Sequence, residues 1–120
     1  MRDIGKLTKD QKKEVVEKAF EEAKIHRKEK RFQKGIDLLN DALRYQVRED
    51  EVYYRLGNIY YDAGDLDRAE YAYQRAIAEN KEHVDAHHNL SVVYKRKRRI
   101  WEFVKMRKKA TKLAIKTRPK

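Results

Sequence analysis

VYYRLGNIYYDAGDLDRAEYAYQRAIAEN, residues 52 to 80, carries apolar residues at helical spacing on both sides of one glycine, Gly57. A glycine inside a helix costs about 1 kcal/mol relative to alanine. The apolar spacing runs on through Ile59 and Tyr60, so Gly57 is not a helix end. Something must offset its cost that only a residue without a side chain allows. Gly64 and Asp65 then stop one helix and cap the next, which runs from Leu66 to Ala78. The stretch therefore reads as two antiparallel helices in close approach. Gly57 and Ala69 let the backbones come near, while Leu56, Tyr60, Tyr73 and Ala76 close around them.

Working outward, the same period recurs. Thr8 and Gln11 form a capping box, and Val15, Val16, Ala19, Phe20 and Ala23 follow at helical spacing until the charged run at 28 to 31. Phe32, Ile36, Leu39, Ala42 and Leu43 make a second amphipathic helix. Val52 to Tyr60 is the third and Leu66 to Ala78 the fourth. Ala86 to Tyr94 is the fifth, and Ile100 to Ile115 the sixth. Nothing alternates with period two long enough to be a strand. The fold class is all-α.

The totals agree. Of 120 residues, 40% are hydrophobic and 42% charged, a balance suited to thin helical layers that each bury one stripe. Cysteine is absent, which excludes disulfides and thiolate metal sites. There is no apolar leader and no run of apolar residues long enough for a span, so a soluble cytoplasmic protein is expected. The net charge of +11 is uneven. Residues 1 to 50 are close to neutral and 51 to 94 are acidic. Residues 95 to 120 carry 13 basic side chains and one acidic.

A shift of 34 residues superimposes the chain on itself. Gly57 falls on Ala23 and Ser91, Tyr60 on His26 and Tyr94, Leu66 on Phe32 and Ile100, and Ala76 on Ala42 and Ala110. Three units follow, 16–49, 50–83 and 84–117, after an N-terminal helical extension at 1–15. The middle unit has Tyr53-x2-Leu56-Gly57-x2-Tyr60, then Ala69-x3-Tyr73, then Ala76. It resembles the tetratricopeptide repeat (TPR) family, with Lys81 where proline is common. The flanking units are more degenerate. Ala23 faces Gly35 in the first, with the bulk reversed. Ser91 faces Phe103 in the third, a pair expected to splay or shift.

The resemblance implies an α-solenoid of three antiparallel helix pairs, a right-handed superhelix whose first helices line a concave groove for peptides or helices. Carried over by the 34 spacing, that lining is Phe20, Glu21, Lys24, Arg27 and Lys28 in unit one. Unit two contributes Tyr54, Arg55, Asn58 and Tyr61. Unit three contributes His88, Asn89, Val92, Lys95 and Arg96. Amides can hold a peptide backbone, cations a carboxylate and tyrosines an apolar side chain, so an acidic peptide or protein partner is expected. Asn58, Arg55 and Asn89 are expected to be exposed in the groove. Asn58 and Asn89 also fall on two asparagine positions of the family's carboxylate clamp. Tyr54 stands where that clamp has lysine, so a working clamp is not expected.

His83, His87 and His88 cluster, but the frame puts His83 in a turn and His87 at the buried position equivalent to Tyr53. Packing explains His87 better than zinc does. No nucleophile elbow, P-loop or dinucleotide fingerprint is present, so neither an enzyme nor a cofactor is expected. KRKRR at 95–99 reads as a solvated turn between two helices. It also supports an alternative function, binding of a polyanion (nucleic acid or an anionic membrane surface) through 95–120. Finally, the sixth helix has apolar residues over more than half of its circumference. One packing seam leaves Trp101, Val104 and Ile115 exposed, and the expected cover is a second copy, giving a homodimer, or a partner's helix.

Overall fold

The computed structural model describes residues 3–119. Six helices follow one another: α1 Lys9–Lys28, α2 Phe32–Ala42, α3 Glu49–Asp62, α4 Leu66–Glu79, α5 Val84–Arg96 and α6 Ile100–Lys116. There is no strand among the described residues. They pair as α1/α2, α3/α4 and α5/α6, an all-α solenoid only 21 Å across its shortest axis. That is the thickness of two helix layers.

Each helix starts or stops for a legible reason. Thr8 and Gln11 make the expected capping box at α1, with reciprocal hydrogen bonds of 3.1 and 2.9 Å. The described part of the expected N-terminal extension is not an element of its own. Ile4–Lys6 forms one 3-10 turn, Ile4 and Leu7 pack on the core, and residues 9 to 15 are the first turns of α1. Residues 1 and 2 lie outside the described residues.

Within each pair the two helices are joined by the same device. Lys30, Gly64 and Arg98 have φ of 61°, 83° and 61°, and they are spaced by the period. Beyond each, a long-range turn bond closes the helix end: Arg31 N–H to His26 O at 2.8 Å, Asp65 to Tyr60 at 2.9 Å and Arg99 to Tyr94 at 2.9 Å. This left-handed cap satisfies the last carbonyls and reverses the chain. Only the middle turn uses glycine for it. Only the middle turn also supplies a side-chain N-cap, with Asp65 accepting from the Arg68 N–H; Arg31 and Arg99 supply none.

The core is a chain of interlocking layers. Val16, Phe20, Leu39, Val52 and Ile59 are essentially fully buried between the first two pairs. Ala69, Tyr73, Leu90 and Val93 continue the core between the second and third. Gly57 is where the sequence places the close approach. A Cβ there would stand 2.5 and 2.6 Å from two ring carbons of Tyr73, so the Tyr73 ring, more than Ala69, occupies the space. Gly35 faces Ala23 as expected, but its tightest neighbour belongs to the next pair: a Cβ would be 2.8 Å from Ile59 Cδ1.

The third pair does not come apart at Ser91. The Ser91 hydroxyl turns back on its own helix and donates to the His88 carbonyl at 2.5 Å. Phe103 rests half-buried against the Leu90–Tyr94 cluster. Between α5 and α6 an open groove of about 520 Å³ remains.

Candidate functional site

The first helices of successive pairs, α1, α3 and α5, touch one another directly, whereas α2, α4 and α6 contact one another less. The solenoid therefore curves toward the α1/α3/α5 face. Three adjoining cavities lie along it. The first, about 180 Å³, is lined by Lys24, Arg27, Tyr54, Arg55 and Asn58 over Leu39 and Ile59. The second, about 210 Å³, shares Arg27 and Asn58 and adds Tyr61, Tyr73, Asn89 and Val92. The third, about 620 Å³, opens at the turn end between Lys24, Lys28, Lys30, Tyr61 and Arg96.

Nine of the residues expected in the groove thus share one surface: Lys24, Arg27, Lys28, Tyr54, Arg55, Asn58, Tyr61, Asn89 and Arg96. Four do not. Phe20 is buried in the core and Glu21 lines none of the three cavities. His88 and Lys95 line the α5/α6 groove instead, and Val92 borders both. The reason is that both lie on the side of α5 turned toward the groove with α6 rather than toward α3.

Asn58 requires a correction. It is buried at 8% exposure rather than open to solvent. Its Oδ1 accepts the Tyr73 hydroxyl at 2.5 Å and the Asn89 amide at 2.9 Å, so it knits three helices together under the groove floor. Burial pushes the Tyr73 hydroxyl well above its ordinary range, with the Asn89 hydrogen bond opposing that shift, so this phenol stays a neutral donor. Arg55 is partly withdrawn, held to Glu51 at 3.1 Å and lying 4.6 Å over the Phe20 ring.

The groove's charge is mostly uncompensated. Asp62 is its one carboxylate, and Arg27 takes it at 2.6 Å. That hydrogen bond holds the guanidinium above its ordinary pKa. Arg96 sits 5.3 Å over the Tyr61 ring and donates to its hydroxyl at 3.3 Å. Lys24, Lys28 and Lys30 meet no carboxylate among the described residues.

The basic run at 95–99 is largely spent on the fold. Lys97 reaches Asp67 at 2.5 Å and Glu70 at 2.9 Å, and Arg99 reaches Glu70 and Glu102 at 3.0 and 3.1 Å. Lys95 lies over Phe103. Only Arg98, in the left-handed turn position, has no such contact. At the C-terminal flank Trp101, Val104 and Ile115 are exposed at 85%, 47% and 61%, and Ile100 joins them at 59%.

His83 and His87 are structural. His87 is fully buried, its Nε2 2.9 Å from the Lys81 carbonyl, and burial lowers its pKa. His83 caps α5, its Nδ1 accepting from Ala86 at 3.1 Å while Nε2 lies 3.2 Å from Glu51. No group of residues able to hold a metal occurs among the described residues. None of the helices described is long and apolar enough to cross a membrane.

Sequence reading missed Asp62 and the Glu51–His83 link. Both carry a signal: partners between successive pairs sit about one period apart, as do Arg27 and Asp62, Glu51 and His83, and Arg96 and Tyr61. A search for opposite charges at that separation finds them.

A family model described as tetratricopeptide repeat matches residues 20–98. The chain belongs to the tetratricopeptide repeat family. The crystal structure of MamA superposes with a TM-score of 0.78 at 27% identity, over 84% of this chain and 59% of that one. A point mutant of MamA gives a TM-score of 0.70 at 20% identity, over 82% of this chain and 72% of that one, a likeness of fold. The chain spans less than two-thirds of the length of the first MamA structure. No curated protein matches it in sequence. Repeats of this family are generally non-catalytic scaffolds that present extended binding surfaces to other proteins.

Proposed function

We propose that this chain is a non-enzymatic adaptor that takes an acidic peptide or helix of a partner protein along the α1/α3/α5 face. The units 16–49, 50–83 and 84–117 each contribute one helix to that face. The supporting observation is the row of three cavities that share Arg27. It is rimmed by Lys24, Lys28, Lys30 and Arg96 and contains one carboxylate, already taken. Cations at the rim steer and orient an acidic segment, while Tyr54 and Tyr61 offer apolar faces between them. The exposed α6 flank is a second docking surface, for a partner or another copy. The polyanion reading loses Lys97 and Arg99, which are paired within the chain, and rests on the exposed lysines of α6.

A pull-down from native lysate with and without nuclease tests this, repeated with Tyr61→Ala and Arg96→Glu. Retention of a protein that survives nuclease and drops about tenfold in both variants, with an unchanged melting temperature, supports the groove. Retention abolished by nuclease would replace this reading with the polyanion one.

A further inference from the structure

The period of the chain says what each face of α6 should meet. On α4, Asp67 and Glu70 are paired with the α5–α6 turn, whose Lys97 and Arg99 reach them at 2.5 to 3.0 Å. Gln74, one turn further along, donates to the Tyr94 hydroxyl at 3.1 Å. Add 34 residues and the same three positions on α6 are Trp101, Val104 and Lys108. The acidic landing strip has become apolar and basic. A following unit built like those in this chain, with cations in its turn, would meet repulsion there instead of ion pairs.

The inner side of the flank changes too. Tyr73, which fills the crossing of α3 and α4, is replaced at this register by Arg107. Arg107 is exposed and lines the α5/α6 groove beside Phe103, Ala110 and Ala114. Its guanidinium lies 6.0 Å from the Phe103 ring centre, and it meets no carboxylate among the described residues. The alanines leave a trough of about 520 Å³, whose α5 wall carries Asp85 and Lys95. Outside the trough, Ile100, Val104 and Trp101 continue the apolar surface of α6, all exposed. Lys105, Lys108 and Lys112 lie on the same helix without carboxylate partners among the described residues.

We infer that this trough receives an acidic amphipathic helix from another protein, with a carboxylate placed in its apolar stripe to meet Arg107. This rests on reading α6 as a docking surface and narrows its occupant. Charge complementarity selects the partner. A second copy of the chain is a poor match. From 51 to 94 every acidic side chain except Asp85 meets a cation of its own chain, and the exposed carboxylates of α1, such as Glu14 and Glu21, are interspersed with its lysines. A symmetric contact would also set one α6 lysine row against another. An apolar stripe runs from Phe103 in the trough to Val104 and Trp101 outside it, and the buried carboxylate fixes its register. Without that carboxylate, Arg107 would be desolvated with nothing to pair with.

The test is selection of displayed helical peptides on the intact chain, with counter-selection on Trp101→Glu. Trp101 and Arg107 are exposed, so both variants should keep the wild-type melting temperature. Selected peptides should be net acidic, with one glutamate or aspartate inside the apolar stripe. Arg107→Glu should weaken them about tenfold, and replacing that peptide carboxylate by lysine should restore binding to the Arg107→Glu chain. Binders that need Trp101 yet are neutral or basic would overturn the acidic occupant while leaving α6 a docking surface. An absence of Trp101-dependent binders would overturn both. Sedimentation showing a dimer that dissolves in Trp101→Glu would put a second copy in the trough and overturn the proposal as well.

Discussion

The middle and third helix pairs share one backbone plan and fill it differently. In α3/α4 the crossing is Gly57 under Tyr73, sealed by Asn58 and Asn89. In α5/α6 the same register holds Ser91, with Phe103 and Arg107 around an open groove. Both pairs stay packed. The turn geometry and the neighbouring pair therefore set the path of the helices, and the crossing residues decide whether the space between them is core or surface. A degenerate unit here is one whose interior chemistry has moved outward.

Breaking the middle crossing should have the largest effect. Gly57→Leu must displace the Tyr73 ring and should cost about 3 kcal/mol or unfold the pair, read from urea melts. Ser91→Gly at the equivalent site should cost no more than about 1 kcal/mol. Equal losses at the two sites would erase the distinction between them.

Next comes the amide network. Asn58→Ala leaves the Tyr73 hydroxyl and the Asn89 amide without their shared acceptor and should cost about 2 kcal/mol. A thermal melt that does not move would return Asn58 to the role of a solvated groove residue. That role is what its position in the repeat suggested. The period tells which helix a residue belongs to and which face it is on. It does not tell whether a neighbour one period away will reach over and cover it, as Asn89 does. For the same reason the six helices, their pairing and the Gly57 contact were legible, each being set by spacing within one or two helices. The departure of His88 and Lys95 from the groove was not. It depends on how α5 sits against α6, which the period does not specify. Trp101, Val104 and Ile115 were legible as exposed residues because one seam cannot use so wide an apolar arc.

The turns sharpen the comparison at a smaller scale. Arg98→Gly removes a side chain from a left-handed residue and should stabilise the third pair by about 1 kcal/mol, and Lys30→Gly the first by a similar amount. Gly64→Ala should lose about as much in the middle, although a Cβ there would touch nothing within 4 Å. Its cost is conformational. Differential scanning calorimetry on the three variants separates the signs.

The smallest effect is pH-dependent. The His83 hydrogen bond, against the opposing effect of burial, holds the Glu51 carboxyl below its usual range. Burial lowers the His83 pKa, but the Glu51 hydrogen bond and charge outweigh it and leave it raised. The Glu51 contribution is present above the ordinary carboxylate range and lost as pH falls through its lowered value. The His83 contribution is present below the ordinary imidazole range and lost as pH rises through its raised value. Their link is therefore strongest between the ordinary values of 4.5 and 6.5. Protonation of Nδ1 would also remove the acceptor that caps α5, which trims the gain. His83→Asn, which keeps a cap, should lose about 0.5 kcal/mol in that window and less at pH 8.

The ion pairs between successive helix pairs span 27 to 35 residues, as from Lys97 to Glu70 or from Arg27 to Asp62. No ion pair among the described residues joins α1 or α2 to α5 or α6. The ends can hear one another only through the middle pair, so the molecule should open by peeling rather than all at once. Amide hydrogens of α3 and α4 should then exchange last, those of α6 first. A partner seated on α6 should slow exchange there before anywhere else, a local readout of docking that needs no label and no mutation.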